Sequence, residues 1–130
     1  MKYLILAILA SFFIHNSAYA KSQNAEARSG VTKIIGGFNT FNRVSCTSTP
    51  FAKASIRQPK NGKLTVKNQR HRVPKGSKCA GKMMNMSIVS YKSKPGFKGK
   101  DKGVVYFRHL RYSGDTVGSS YNVNYNITVK

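Results

Sequence analysis

Polar and apolar positions follow a two-residue period along much of this chain, most clearly near its end, where Tyr121, Val123, Tyr125, Ile127 and Val129 alternate with Asn122, Asn124, Asn126 and Thr128. A strand points successive side chains to opposite faces, so this stretch buries the first set and wets the second. The same rhythm recurs upstream. Ala52, Ala54 and Ile56 alternate with Lys53, Ser55 and Arg57, and Leu64 and Val66 alternate with Lys63, Thr65 and Lys67. Met84, Met86 and Ile88 share one side of a further run whose other side carries Val89 and Tyr91. Val31 to Ile35, closed by Gly36-Gly37, and Phe41 to Thr47, ending near Pro50, complete the upstream candidates. From Gly103 to Tyr112 apolar residues occupy both sides, with Val104, Tyr106 and Leu110 on one and Val105 and Phe107 on the other, as in a strand covered on both faces. No helical spacing persists for three turns after residue 30. About seven strands result, enough for two packed antiparallel sheets.

The turns divide these runs. Asn61-Gly62, within Pro59-Lys60-Asn61-Gly62, is a dipeptide that closes hairpins and predicts one between the runs on either side. Asn68 to Lys82 reads as a long basic loop holding Arg70, His71, Arg72, Lys75, Lys78 and Lys82. Tyr91 to Asp101 reads as a strand, a corner and a strand. Pro95 presets φ for the second position of a type II turn and Gly96 supplies the positive φ of the third. Gly99 allows another bend, Asp101 can accept bonds from nearby main-chain N–H groups, and Phe97 is expected to fold inward and pin the corner.

The N-terminus changes the compartment. Met1-Lys2, an apolar run from Tyr3 to Ile14 and Ala18-Tyr19-Ala20 form a signal peptide over residues 1–20, too short in its apolar part for the roughly 20 residues of a membrane span. Residues 21–30 are polar and aperiodic and read as a flexible arm before a single domain of residues 31–130. In an oxidising compartment the only two cysteines, Cys46 and Cys79, are expected to bridge, a closure worth roughly 3–4 kcal/mol.

Charge changes the picture most. The chain carries 23 Lys and Arg against 3 Asp and Glu, a formal net charge of +20. Such a field attracts anionic partners without choosing among them. Two clusters are candidate anion-binding groups: Lys92, Lys94, Lys98, Lys100 and Lys102 around the corner, and Arg70, Arg72, Lys75, Lys78 and Lys82 in the loop, with Tyr112 or Phe97 as stacking partners if the fold unites them.

Three stretches carry a family resemblance: Ile56-Arg57-Gln58-Pro59-Lys60-Asn61-Gly62-Lys63-Leu64-Thr65-Val66, the corner from Val89 through Tyr91, Pro95, Gly96, Phe97 and Gly99 to Asp101, and the terminal Asn126-Ile127-Thr128-Val129. Over Ala52 to Val129 the chain resembles bacterial immunoglobulin-like or cadherin-like domains of exported and surface proteins. The resemblance implies an all-β, immunoglobulin-like antiparallel β-sandwich with a structural corner and no catalytic residue there. This chain differs in having one copy, a cysteine pair with a long basic insert, and lysines in place of the usual acidic and hydroxyl residues. Some related repeats hold calcium through carboxylates that this sequence lacks.

Catalytic alternatives find little support. Glycoside hydrolysis needs two carboxylates across one bond, and Asp101 and Asp115 each sit beside glycine in a turn. His71 and His109, with Lys100, have the chemistry for acid–base work on RNA, but nothing in the sequence places His109 near His71. Cys46, His71, Cys79 and His109 are zinc donors without the short paired spacings of structural sites. No phosphate loop or dinucleotide fingerprint occurs. The expectation is a non-catalytic module, without cofactor or metal, exported to the periplasm or secreted. It would bind an anionic envelope or host-surface component such as lipopolysaccharide or acidic polysaccharide, or a protein, with nucleic acid bound only non-specifically. The alternative is a secreted effector or toxin-like protein acting on nucleic acid or membranes.

Overall fold

In a computed structural model, the described residues, 19–130, contain nine strands and no helix. Residues 1–18 of the expected signal peptide, with its apolar run Tyr3 to Ile14, lie outside them. In chain order the strands are β1 (Tyr19–Ala27), β2 (Lys33–Asn39), β3 (Phe41–Asn42), β4 (Thr47–Ser48), β5 (Lys53–Arg57), β6 (Gly62–Arg72), β7 (Met83–Ser93), β8 (Gly99–His109) and β9 (Ser119–Val129). One sheet has the order β1-β9-β8-β5 and a second β2-β7-β6, while β3 and β4 form a two-stranded ribbon. The fold is therefore all-β, with nine strands rather than about seven. It is not purely antiparallel either, because β1 runs parallel to β9.

The alternating residues meet in one core shared by the two larger sheets. Val105, Phe107, Val123, Tyr125, Ile127 and Val129 come from β8 and β9, and Ile35, Leu64, Val89 and Tyr91 come from β2, β6 and β7. Phe38 stacks on Phe107 at 4.7 Å between ring centroids. Close approach of the sheets depends on glycine. A Cβ on Gly103 would lie 2.4 Å from Leu64 Cδ1, and one on Gly36 would lie 2.5 Å from Tyr125 Oη. Any larger residue would force the layers apart.

A second apolar cluster lies on the other side of the three-stranded sheet. Met84, Met86 and Ile88 of β7 are covered there by Phe41, Val73 and Cys79. The cover is made by the β3–β4 ribbon and the 73–82 loop, joined by the Cys46–Cys79 disulfide with its Cα atoms 5.5 Å apart. The bridge thus closes a cap over one face of a sheet, outside the main core.

Several expectations are corrected. Residues 21–27 are part of β1 and not an arm: seven register pairs with β9 hold them, and Lys130 ties the strand's end through Lys130 N–H to Ala27 O (2.9 Å) and Ser29 N–H to Lys130 O (3.0 Å). A weak strand former is recruited here by a strong neighbour. Phe41 to Thr47 is not one strand. The Asn42 carboxamide oxygen accepts from Val44 N–H (2.8 Å) and Ser45 N–H (3.0 Å) and folds the chain back at once, with Cys46 at φ +55°. The loop expected over 68–82 is shorter, because β6 continues to Arg72 opposite Met83.

Asn61-Gly62 does not close a hairpin, since β5 and β6 belong to different sheets. Gln58 makes the crossover by imitating a strand, donating to Leu64 O (2.9 Å) and accepting from Leu64 N–H (2.8 Å). Finally, β8 is not buried on both faces: Val104 and Tyr106 are only half-buried on its outer side.

Two outcomes follow from this packing. Gly103→Ala should cost about 1–3 kcal/mol in urea denaturation, because Leu64 and the Arg57 carbonyl cannot both withdraw. Reduction of the disulfide should remove hydrogen-exchange protection from 40–49 and 73–82 first, with β8 and β9 still protected; simultaneous loss everywhere would show that the cap and core are one cooperative unit.

Candidate functional site

At one end of the sheets the chain crosses between them through 58–61 and through 94–98. Tyr91 Oη donates to Asp101 Oδ2 at 2.7 Å, with both residues buried. Asp101 Oδ1 accepts from Lys102 N–H (3.2 Å) and, at the other crossover, from Asn61 N–H (3.4 Å). Lys94 N–H closes the arrangement on Asn61 O at 2.8 Å. Pro95 and Gly96 are central in a turn in which Phe97 N–H bonds Lys94 O at 3.1 Å, with Gly96 at φ +82° and Gly99 at φ +133°. Phe97 is half-buried against the core. Burial first, then the hydrogen bond to Asp101 and its charge, hold the Tyr91 phenol well above its ordinary pKa.

Asp115 organises the loop past the other end of β8. Its carboxylate accepts from Arg111 Nε (2.9 Å), Arg111 N–H (3.0 Å), Val117 N–H (3.0 Å) and Gly118 N–H (3.2 Å). The Arg111 side chain first, then these main-chain donors, hold its pKa below the usual carboxylate range despite desolvation. β8 separates the two aspartates by about 25 Å at the rise of a strand. Each carboxylate organises its own loop.

The histidines are also apart. His109 Nε2 lies 3.1 Å from Thr49 Oγ1, with its ring edge-on to Phe38, in the four-stranded sheet. His71 belongs to β6 of the other sheet, its Nδ1 2.9 Å from Arg72 O. Both cysteines are bridged, and no three His, Cys, Asp or Glu residues converge among the described residues.

The two basic clusters occupy opposite ends of β7, roughly 30 Å apart at the rise of a strand. In the cluster of Arg70 to Lys82, Arg70 of β6 donates to Met83 O of β7 (3.0 Å) and Arg72 of β6 to Gly81 O in the loop (2.8 Å), so the two tie β6 to the start of β7 and to the loop. Lys75, Lys78 and Lys82 are exposed around them. In the cluster around the corner, Lys94 and Lys98 are exposed on the turn and Lys92 faces outward on the three-stranded sheet, while Lys100 and Lys102 face outward on the four-stranded one. Tyr112 lies beneath the Arg111 guanidinium, 5.7 Å from ring centroid to carbon.

Sequence reasoning missed Lys63, which stands directly opposite Lys92 on the outer face, with Lys67 further along β6. It also left Lys53, Arg57 and Arg108 unassigned, which share the outer face of the four-stranded sheet. Alternation showed that these residues point outward, but only the strand order brings them together. Among the described residues just two cations, Arg111 with Asp115 and Lys130 with Glu26, form ion pairs.

No family model matches this chain, and no curated protein matches it. A solved structure described as the solution structure of Amebosin is similar over 88% of this chain and 99% of its own, at 12% identity and a TM-score of 0.48, too weak a likeness to bear on function.

Burial, with Tyr121 nearby, pushes the Tyr125 phenol up to about 12, and its hydroxyl is buried without a hydrogen-bond partner among the described residues. For both Tyr91 and Tyr125 the folded state favours the neutral phenol. Their contribution to stability is therefore complete below the ordinary value near pH 10 and is lost as pH rises beyond it. Alkaline titration followed by phenolate absorbance should show two tyrosines that ionise only as the near-ultraviolet circular dichroism collapses. Ionisation of every tyrosine near pH 10 in folded protein would contradict the burial of these two.

Proposed function

We propose that this chain is an exported, disulfide-closed immunoglobulin-like β-sandwich that works by binding and not by catalysis. Its basic surface engages an anionic component of the cell envelope or of a host surface, such as lipopolysaccharide, an acidic polysaccharide or an acidic protein. The fold reading is supported by strand order. With the β3–β4 ribbon set aside as an insertion, seven strands remain. The second, fourth and fifth of these share one sheet and the third, sixth and seventh share the other, the partition of six strands of an immunoglobulin domain, while the first, β1, joins the seventh in parallel instead of the second. Export is supported by the bridged cysteines, which persist in oxidising compartments.

One observation carries the binding reading: the charge is uncompensated. Of 23 Lys and Arg residues, Arg111 and Lys130 alone have carboxylate partners among the described residues, and Asp101 and Asp115 are occupied by the corner and the loop. Exposed lysines such as Lys63, Lys67 and Lys92 lie on a sheet face without a counter-charge, where like charges directly opposite destabilise. A bound anion relieves that repulsion.

The test is binding of the purified protein to heparin, lipopolysaccharide, duplex DNA and a neutral glycan at low and physiological salt. The expected result is no affinity for the neutral glycan, salt-weakened affinity for all three anions, and retention of heparin or lipopolysaccharide at physiological salt. Equal binding to every anion that vanishes at physiological salt would make the charge generic and overturn the reading. RNA degradation abolished by His71→Ala and His109→Ala would replace it with the effector reading.

A further inference from the structure

The outer face of the four-stranded sheet is polar apart from Val104, which is registered with Asn124, and the aromatic ring of Tyr106. Asn122, Asn124 and Asn126 stand in a row on β9, spaced about 6.8 Å apart at two residues of strand rise. None of the three carboxamides has a side-chain hydrogen bond to another described residue. On one side, Lys102 of β8 is registered with Asn126, Tyr106 with Asn122 and Arg108 with Ser120. On the other, Ser22 and Asn24 of β1 are registered with Asn124 and Asn126. Arg57 and Lys53, on β5, extend the basic side one strand further. The face is dented at both ends. A depression of about 370 Å³ lies by Lys102 and Asn126, and one of about 250 Å³ lies by Tyr106, Arg108 and Asn122.

Resting on the binding role proposed above, we infer that this face holds a linear acidic polysaccharide laid along β9. The Asn row meets the sugar hydroxyls, and Lys102, Arg57 and Lys53 meet the carboxylate or sulfate groups. The chemistry selects this class. A carboxamide both donates and accepts, and so does a sugar hydroxyl, so each asparagine can use both of its ends on a glycan. A DNA backbone offers only acceptors to that row, and an RNA backbone adds a single donor, the 2′-hydroxyl, per nucleotide. Single-stranded nucleic acid is held by a series of aromatic platforms, and this face has one aromatic, Tyr106. An extended acidic peptide pairs its main chain at a sheet edge, which β9, lying between β1 and β8, does not provide. Charge complementarity fixes the sign of the ligand. Lys53, Arg57 and Lys102 have no carboxylate partner among the described residues, and the one acid on the face, Glu26, is paired with Lys130 at 3.1 Å.

The test uses the disulfide-bonded protein with polygalacturonate and heparin at physiological salt, and with dextran and duplex DNA beside them. The variant N122A/N124A/N126A removes no charge. It should lose about tenfold or more of its affinity for the acidic glycans, keep the salt dependence of the wild type, and bind DNA as before. The variant K53Q/R57Q/K102Q should weaken all polyanions and flatten the salt dependence.

Unchanged glycan affinity in the asparagine variant, with the wild type still binding, would overturn the inference and leave the proposed function standing. Failure of the wild type to hold any anion at physiological salt would remove both. If the asparagine variant melts early, the side-chain amide resonances of Asn122, Asn124 and Asn126 in the wild type decide. Shifts with polygalacturonate and none with dextran support the site, while no shift, or equal shifts with DNA, overturns it.

Discussion

The hydrogen bond from Tyr91 to Asp101 joins the two larger sheets at the end where the chain passes between them. Tyr91 belongs to the three-stranded sheet and Asp101 to the four-stranded one, and Asn61, on the other crossover, donates to the same carboxylate. A buried carboxylate is costly unless its lone pairs are satisfied, and here three donors from three chain segments satisfy it. The bond also holds the ring of Tyr91 against Gly62, where no side chain would fit. Leu64 follows two residues later and reaches Gly103 of the facing sheet, so the position of the first bond propagates into the packing of the core.

With so few acids in the chain, this arrangement has an electrostatic consequence. Asp101 is enclosed by the corner, Asp115 by its loop, and Glu26 is paired with the C-terminal lysine. Among the described residues the cations other than Arg111 and Lys130 have no carboxylate partner, and they stand on both sheets and at both ends. Asp101 lies between lysines at 100 and 102 that point away from it, since neighbouring residues on a strand take opposite faces. The strand that locks the corner therefore also carries part of the basic outer face.

The cap is a separate device. β7 is apolar on both sides, with Val89 and Tyr91 toward the main core and Met84, Met86 and Ile88 toward the ribbon and the 73–82 loop. A three-stranded sheet with that outer face bare would expose methionine and isoleucine to water. The disulfide holds the cover in place at low entropic cost, which suits loops that have little regular structure of their own.

Much of this was written in the order of residues. The period of two in β6, β7 and β9, the turn at Pro95-Gly96 and the even cysteine count are local signals, because alternation, φ preference and redox chemistry act over a few residues or on a pair. The sequence by itself therefore determined which side chains of β9 face inward, that the chain is all-β, and that its charge has few internal partners. Tertiary structure alone decided the rest. β1 is a strand only because β9 offers it a ladder, Asn61-Gly62 became a crossing because β5 and β6 found partners in different sheets, and the two lysine and arginine clusters were separated by the length of β7. The asparagine row acquired its basic border only when β8 and β5 were laid beside it. Such neighbours are joined by hydrogen bonds between residues far apart in the chain, and no local pattern encodes them.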